Sequence, residues 1–160
     1  MIFALFGTNP YPFTRLADWL DKLAREEGHD IEAQTGSTPA LAHCRSFDFA
    51  SYATIRAKME SAETIVAQGG YGSCLDALHL GRKLIIVPRR PEFGESRDNQ
   101  AELSSYLAEH SEAIVADTYE ALRQALATVG KKHARARTLP EAYGSQVGAV
   151  INDFLGGLKV

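Results

Sequence analysis

The feature that most restricts this 160-residue chain is a repeated alternation of short apolar runs with stretches of helical spacing. The apolar runs fall at residues 2–6, 31–34, 64–67, 84–87 and 113–116, each fenced by nearby Gly, Pro, Asp or Asn. Runs this short, closed off by turn residues, read as buried strands rather than helices. Residues 45–49 form a weaker sixth candidate. Between the runs, Leu16, Trp19, Leu20 and Leu23 share one helical face, and Gly28 is placed to end that helix in a left-handed conformation. Leu75, Leu78 and Leu80 lead to a second such stop at Gly81; Tyr106 with Leu107, and Leu122, Leu126 and Val129, mark two further helices. Strands almost continuous in apolar character need cover on both faces, which parallel strands joined by helical crossovers receive. The pattern therefore predicts an α/β fold, a doubly wound parallel sheet of about six strands with its ligand crevice at their carboxyl ends.

The length suits a single domain spanning residues 1–160. Seventeen Lys and Arg against twenty Asp and Glu give a net charge of -3, which points away from nucleic acid as a partner. Two cysteines, Cys44 and Cys74, are too few for a disulfide framework and read as small packing residues. The apolar start of the chain is stopped by Gly7, Thr8, Asn9 and Pro10, far short of the ~20 residues of a membrane span, and has no basic stretch before it. A cytoplasmic location is expected, any seat at the inner face of the membrane being supplied by a partner. None of the five histidines pairs with another ligand at metal spacing, so no metal site is expected. Residues 131–137 are a basic run that reads as a solvated loop, and residues 140–158 read as a C-terminal amphipathic helix. The stripe of that helix, Val147, Val150, Ile151, Phe154, Leu155 and Leu158, either packs on the sheet or meets another chain.

The most informative stretch is residues 65–78, where a buried strand enters Gly69, Gly70, Tyr71, Gly72 and Ser73 and a helix follows at once. Glycines there allow positive φ and close approach of the backbone to a ligand. Ser73 is the expected N-cap, and the start of the helix presents free N–H groups and partial positive charge, an arrangement suited to phosphate or diphosphate. Spacing excludes the familiar alternatives. Gly69, Gly70 and Gly72 do not fit G-x-G-x-x-G, no lysine enters the helix as in a P-loop, and Gly72 directly before Ser73 breaks the nucleophile elbow. Further on, the strand ending near Pro88 runs into a polar loop with Arg89, Arg90 and Arg97, placed to balance phosphate charge. Asp98, Asn99 and Gln100 open the next helix and can read hydroxyl groups, Asp98 also serving as its cap.

Taken together, Gly69-Gly70-Tyr71-Gly72-Ser73, Asp76-Ala77, Pro88 and Asp98-Asn99-Gln100 resemble the C-terminal, nucleotide-sugar-binding half of GT-B glycosyltransferases of family 28. The usual family pattern is His-Gly-Gly-Ala-Gly-Ser, then Glu-Ala, Pro and Asp-His-Gln. Phe6-Gly7-Thr8 followed by Pro12-Phe13-Thr14-Arg15-Leu16 resembles the start of its short stand-alone members, the PssE-like catalytic subunits of two-chain UDP-sugar transferases. The resemblance implies a Rossmann-like half of a GT-B fold in which Gly69 to Ser73 hold the UDP diphosphate and Gly7 and Thr8 face its phosphate side. It places Asp76 at the ribose hydroxyls and Gln100 at the sugar hydroxyls. Two departures stand out: Gln68 and Asn99 occupy positions where the family carries histidine, and neither amide titrates.

The implied activity is an inverting, metal-independent transfer of a hexose from a UDP-sugar to a lipid-linked glycan acceptor in surface polysaccharide assembly. No cofactor is implied beyond the donor substrate, and a membrane-bound acceptor-binding glycosyltransferase subunit is the implied partner. Loss of the two histidines keeps open a non-catalytic UDP-sugar-binding regulatory or scaffold subunit, and a nucleoside-phosphate hydrolase on a similar sheet is the other alternative.

Overall fold

The computed structural model describes residues 1–129; the expected helix at 140–158 and the basic run at 131–137 lie outside the described residues. Six strands, β1 (Ile2–Leu5), β2 (Ile31–Gln34), β3 (Arg45–Phe47), β4 (Thr64–Ala67), β5 (Lys83–Ile86) and β6 (Ile114–Val115), form one sheet in the order β3-β2-β1-β4-β5-β6. Every adjacent pair is parallel, with Phe3 opposite Glu32 on one side and Ile65 on the other. This is the doubly wound sheet expected from the sequence, and the weak sixth candidate is a strand, shortened to its first three residues.

The period-two geometry of a strand sends alternate residues to opposite faces, and both faces are buried here. Ile2, Ala4, Val66 and Ile85 pack with Leu16, Leu20 and Leu23 of α1 (Thr14–Glu27) and Leu122 of α5 (Tyr119–Val129). Phe3, Leu5, Ile65 and Ile86 pack on the other face with Met59 of α2 (Tyr52–Ser61), Cys74 and Ala77 of α3 (Tyr71–His79), and Leu107 of α4 (Ala101–His110). Full burial of a side chain such as Leu20 or Ile65 contributes roughly 1.5–3 kcal/mol, so these two layers hold the sheet.

Helix ends follow their local chemistry. Gly28 takes φ 68° and its N–H bonds Ala24 O, ending α1 where expected. At the end of α3, Gly81 N–H bonds Leu78 O and Arg82 N–H bonds Ala77 O, the paired bonds of a Schellman stop. Helix α2 carries no expectation from the apolar pattern: among its residues only Met59 is fully buried, and its clearest signal is Ser51, whose hydroxyl accepts Thr54 N–H at 3.2 Å.

The chain runs outward from β1 to β2 and β3, then returns to place β4 on the other side of β1. Strand order reverses between β1 and β4, and the last residues of these strands, Leu5 and Ala67, are in register. The turns that follow them therefore lie side by side at the point where sheets of this kind bind ligands.

Candidate nucleotide-sugar site

The turn after β1 is held from below. Gly7 has φ 72°, and its N–H donates to Gln34 Oε1 at 3.0 Å while its carbonyl accepts from Gln34 Nε2 at 3.0 Å. Gln34 Nε2 also donates to Asp48 O at 2.8 Å, tying this turn to the end of β3. Gln34, buried at the end of β2, is the polar residue that carries this clamp, and in the sequence its only sign is an amide closing a short strand. Thr8, next along, is exposed.

The turn after β4 has two differently placed glycines before its helix. Gly69 takes φ 89°, and a Cβ there would lie 2.8 Å from Ser104 Oγ and 3.4 Å from Ile86 Cγ2, so the turn sits tightly against the first turn of α4. Gly70 is extended and forms the N-cap of α3 without any side-chain cap bond. The helix thus begins three residues earlier than a Ser73 cap requires, and Ser73 lies within its first turn. The first intrahelical bond runs from Cys74 N–H to Gly70 O, which leaves the amides of Tyr71, Gly72 and Ser73 without helical acceptors. Nothing lies within 4 Å of a Cβ built on Gly72, so this first turn borders open space.

The polar loop after β5 behaves differently from its sequence expectation. Arg89 is 1% exposed, and its guanidinium points inward. Its Nε donates to Gln68 Oε1, Nη1 to Tyr11 O and Glu95 O at 2.8 Å each, and Nη2 to Phe6 O at 2.8 Å. One side chain thereby ties the loops after β1, β4 and β5 together, and burial pulls its pKa down to about 10 against the opposing pull of Glu95. Arg15 of α1 grips Glu95 with two bonds of 2.8 Å, and Glu95 Oε2 also accepts Arg90 N–H at 2.9 Å. The outer arginines are engaged too: Arg90 with Asp117 at 2.7 Å and Arg97 with Tyr11 Oη at 2.8 Å. The expected row of phosphate-balancing cations is in fact a clasp beneath the crevice and two surface contacts beside it.

Asp98 is exposed, and its carbonyl accepts from Ser96 Oγ at 2.8 Å. The capping expected of Asp98 is not made: Gln100 is the N-cap of α4 without a side-chain cap bond, and Asn99 Oδ1, one residue earlier, accepts Ala101 N–H at 2.9 Å. Gln100 precedes α4, and its Oε1 is buried without a hydrogen-bond partner among the described residues. Its carbonyl accepts Ser104 Oγ at 2.9 Å, so the start of α4 is carried to the same Gly69 that precedes α3. Asp76, on the second turn of α3, accepts a 3.2 Å bond from Tyr52 Oη of α2, a contact that no apolar pattern in the sequence announces.

The structure thus gathers Gly7, Gly69 to Ser73 and Gln100 around the β1–β4 switch point, sets Asp76 further along α3, and places Arg89 below. Unpaired amides at the start of α3 are suited to an anion whose charge grows during a reaction. Both thiols are pushed up to about 12 by burial, which leaves Cys44 and Cys74 protonated at neutral pH and unsuited to nucleophilic work.

Comparison with known proteins agrees with this architecture. No curated protein sequence matches the chain. Among solved structures, the glycotransferase of kitacinnamycin superposes with a TM-score of 0.63 and 14% identity, over 82% of this chain and 35% of its own length. The UDP-GlcNAc 2-epimerase of Methanocaldococcus jannaschii, in complex with UDP-GlcNAc and UDP, gives 0.62 and 13% identity over 94% of this chain and 44% of that one. MurG of Acinetobacter baumannii gives 0.58 and 17% identity over 81% and 41%. The chain spans less than half the length of these proteins, and identities this low establish a common fold. The model of the glycosyltransferase family 28 C-terminal domain matches residues 23–149, well over half of the sequence, and the chain belongs to that family.

Proposed function

We propose that this chain is the donor-binding, catalytic half of a two-chain UDP-sugar glycosyltransferase of the PssE-like kind. The observation that carries the proposal is the start of α3: three amides without helical acceptors, bordered by open space, at the sheet's switch point. The UDP diphosphate sits against Tyr71, Gly72 and Ser73, with Gly7 and Thr8 on its other side. Asp76 receives the ribose hydroxyls, and Gln100, whose Oε1 lacks a partner among the described residues, receives a sugar hydroxyl. The acceptor hydroxyl attacks the anomeric carbon from the face opposite UDP, inverting that centre. The bond to UDP breaks with its electron pair moving to the β-phosphate oxygen, where backbone amides and the dipole of α3 stabilise the new charge without a metal or further cofactor. The hydroxyl proton passes to a base on the partner chain, since Gln68 and Asn99 are amides.

A complete enzyme of this architecture has two such halves around a cleft. The acceptor half is proposed to be a separate membrane-bound protein that presents a lipid-linked glycan for surface polysaccharide assembly. Among the described residues no helix is long and apolar enough to cross a membrane, so attachment through that partner suits the proposal.

Calorimetric titration tests the donor site: UDP is expected to bind at least about 10-fold more tightly than uridine, and Gly72→Leu to remove that advantage while the fold is kept. Equal affinity for UDP and uridine in the unaltered protein would reject the site. A second reading, a UDP-sugar-binding regulatory subunit, is favoured by one observation: Asn99, at a position where the family pattern has histidine, already engages its Oδ1 with Ala101 N–H at the start of α4. UDP release on mixing with the partner and lipid acceptor supports the transferase; binding without release supports the regulator.

A further inference from the structure

Tyr52 opens α2, is 62% exposed, and reaches across to Asp76 of α3, where its Oη donates to Oδ1 at 3.2 Å. The place from which it does so is fixed. The carbonyl of Asp48, four residues earlier, accepts Gly36 N–H at 3.0 Å and Gln34 Nε2–H at 2.8 Å, so the approach to α2 is tied to the same glutamine that clamps Gly7. Ser51 then caps the helix through Thr54 N–H. One turn along, Arg56 holds Glu60 at 3.1 Å, and a side-chain bond to Tyr52 is the leading cause that raises its pKa. A guanidinium has only donors, so in that bond the phenol oxygen accepts, and the single phenol proton is committed to Asp76.

Little of this serves the fold. The Tyr52–Asp76 bond is exposed and longer than the usual O–H···O contact of about 2.7–2.8 Å, and α2 fully buries only Met59. We propose that Tyr52 is the positioning residue for the Asp76 carboxylate, and that it thereby sets the preference of this chain for a ribonucleotide over its 2′-deoxy counterpart. The proposal rests on the donor-site reading above, which gives Asp76 the ribose hydroxyls, and adds the side chain that aims that carboxylate. Aspartate is one methylene shorter than the glutamate of the family pattern, so its oxygens reach less far from α3. A carboxylate accepts at about four positions, so the bond at Oδ1 leaves capacity for ribose hydroxyls. Held from α2, the carboxylate is oriented before ligand arrives and loses little freedom on binding. A nucleotide without its 2′-hydroxyl forfeits one bond to this charged group.

The test measures Kd for UDP and for 2′-deoxy-UDP. The unaltered protein is expected to favour UDP by about 10-fold, the worth of one hydrogen bond to a charged group. Tyr52→Phe removes only the hydroxyl; it should leave the thermal unfolding midpoint in place and cut the preference to within about 3-fold. Asp76→Asn should cut it as far. Tyr52→Phe added to Asp76→Asn should change nothing more, since the tyrosine acts through the carboxylate. Asp76→Glu added to Tyr52→Phe should restore the preference, because the longer side chain reaches the ribose without support from α2. A preference kept in Tyr52→Phe but lost in Asp76→Asn would overturn the role of Tyr52 and leave Asp76 at the ribose. Equal weakening of both nucleotides by Tyr52→Phe would also overturn it, since that pattern belongs to a merely structural residue. If the unaltered protein binds UDP more tightly than uridine but does not separate UDP from 2′-deoxy-UDP, this proposal fails while the diphosphate site stands. Failure to prefer UDP over uridine would remove the donor site and this proposal together.

Discussion

Two loops leave neighbouring strands at the same edge of the sheet, and they treat their polar groups in opposite ways. After β4, the chain carries no charged side chain between Gln68 and Cys74, yet it leaves three backbone amides without helical partners. After β5, three arginines and two glutamates crowd into residues 89–97, yet the two most central of these charges are turned inward and satisfied there. Arg89 reaches four oxygens, and Glu95 takes Arg15 and the Arg90 amide. The uncharged loop is the one equipped to receive an anion, and the charged loop is the frame that holds it. A buried charge is tolerated only when fully hydrogen-bonded, so a side chain as well paired as Arg89 belongs to the architecture rather than to a mobile ligand.

The largest effect is expected from breaking that frame. Arg89→Met leaves the carbonyls of Phe6, Tyr11 and Glu95 buried without their donor, and should destabilise the protein by about 3–5 kcal/mol in urea unfolding. A loss below about 1 kcal/mol would mean that the loops hold one another without the clasp, and the contrast between the two loops would collapse.

Next in size is the closed side of the glycine turn. At Gly69, alanine must adopt φ 89° and place its Cβ 2.8 Å from Ser104 Oγ, so Gly69→Ala should cost about 2–4 kcal/mol from strain and overpacking combined. Thermal unfolding reads the cost directly; an unchanged midpoint would show that α4 does not press on this turn.

The two loops also differ in how far they can be read from residues alone. Strands such as Thr64–Ala67 and the bend at Gly69 declare themselves, because burial on both faces leaves an apolar run and positive φ leaves glycine. The start of α3 is less legible: Ser73 is a better capping residue than Gly70, but the backbone enters the helix at Tyr71 and needs no side-chain cap. Arg89 is illegible by composition, since an arginine beside a presumed phosphate site and an arginine folded beneath it are the same letter. What separates them is the convergence of three loops distant in sequence, supplied by the order β1-β4-β5. Helix α2 and its Tyr52 contact to Asp76 escape for another reason: the helix fully buries only Met59, too little to print an apolar stripe.

The inner side of the first turn of α3 can be probed through Cys74. Burial raises its pKa from 9.0 to about 12, whereas the thiol of the unfolded chain ionises near 9.0. Between these values the unfolded state releases its proton first, so the contribution of Cys74 is complete below pH 9 and falls as pH rises toward 12. The stability difference between the unaltered protein and Cys74→Ala should therefore shrink by about 1 kcal/mol from pH 9 to pH 10. A difference constant with pH would indicate that the thiol reaches water and that the turn is open on both sides.

The smallest expected change is at Gly72, three residues beyond Gly69, and it isolates the open side of the same turn. Gly72 lies inside α3 with φ outside the positive range, and a Cβ there meets nothing within 4 Å. Helical glycine is disfavoured relative to alanine, so Gly72→Ala should leave stability unchanged or raise it by up to about 1 kcal/mol. A glycine whose replacement strengthens the fold is not there for the fold. If Gly72→Ala is instead destabilising, the space beside the first turn is already occupied by the protein, and the amides of Tyr71, Gly72 and Ser73 are not free to meet an anion. If it is neutral or stabilising while larger side chains at the same position weaken UDP binding, the reason for glycine lies outside the protein, in the ligand whose approach a side chain would block.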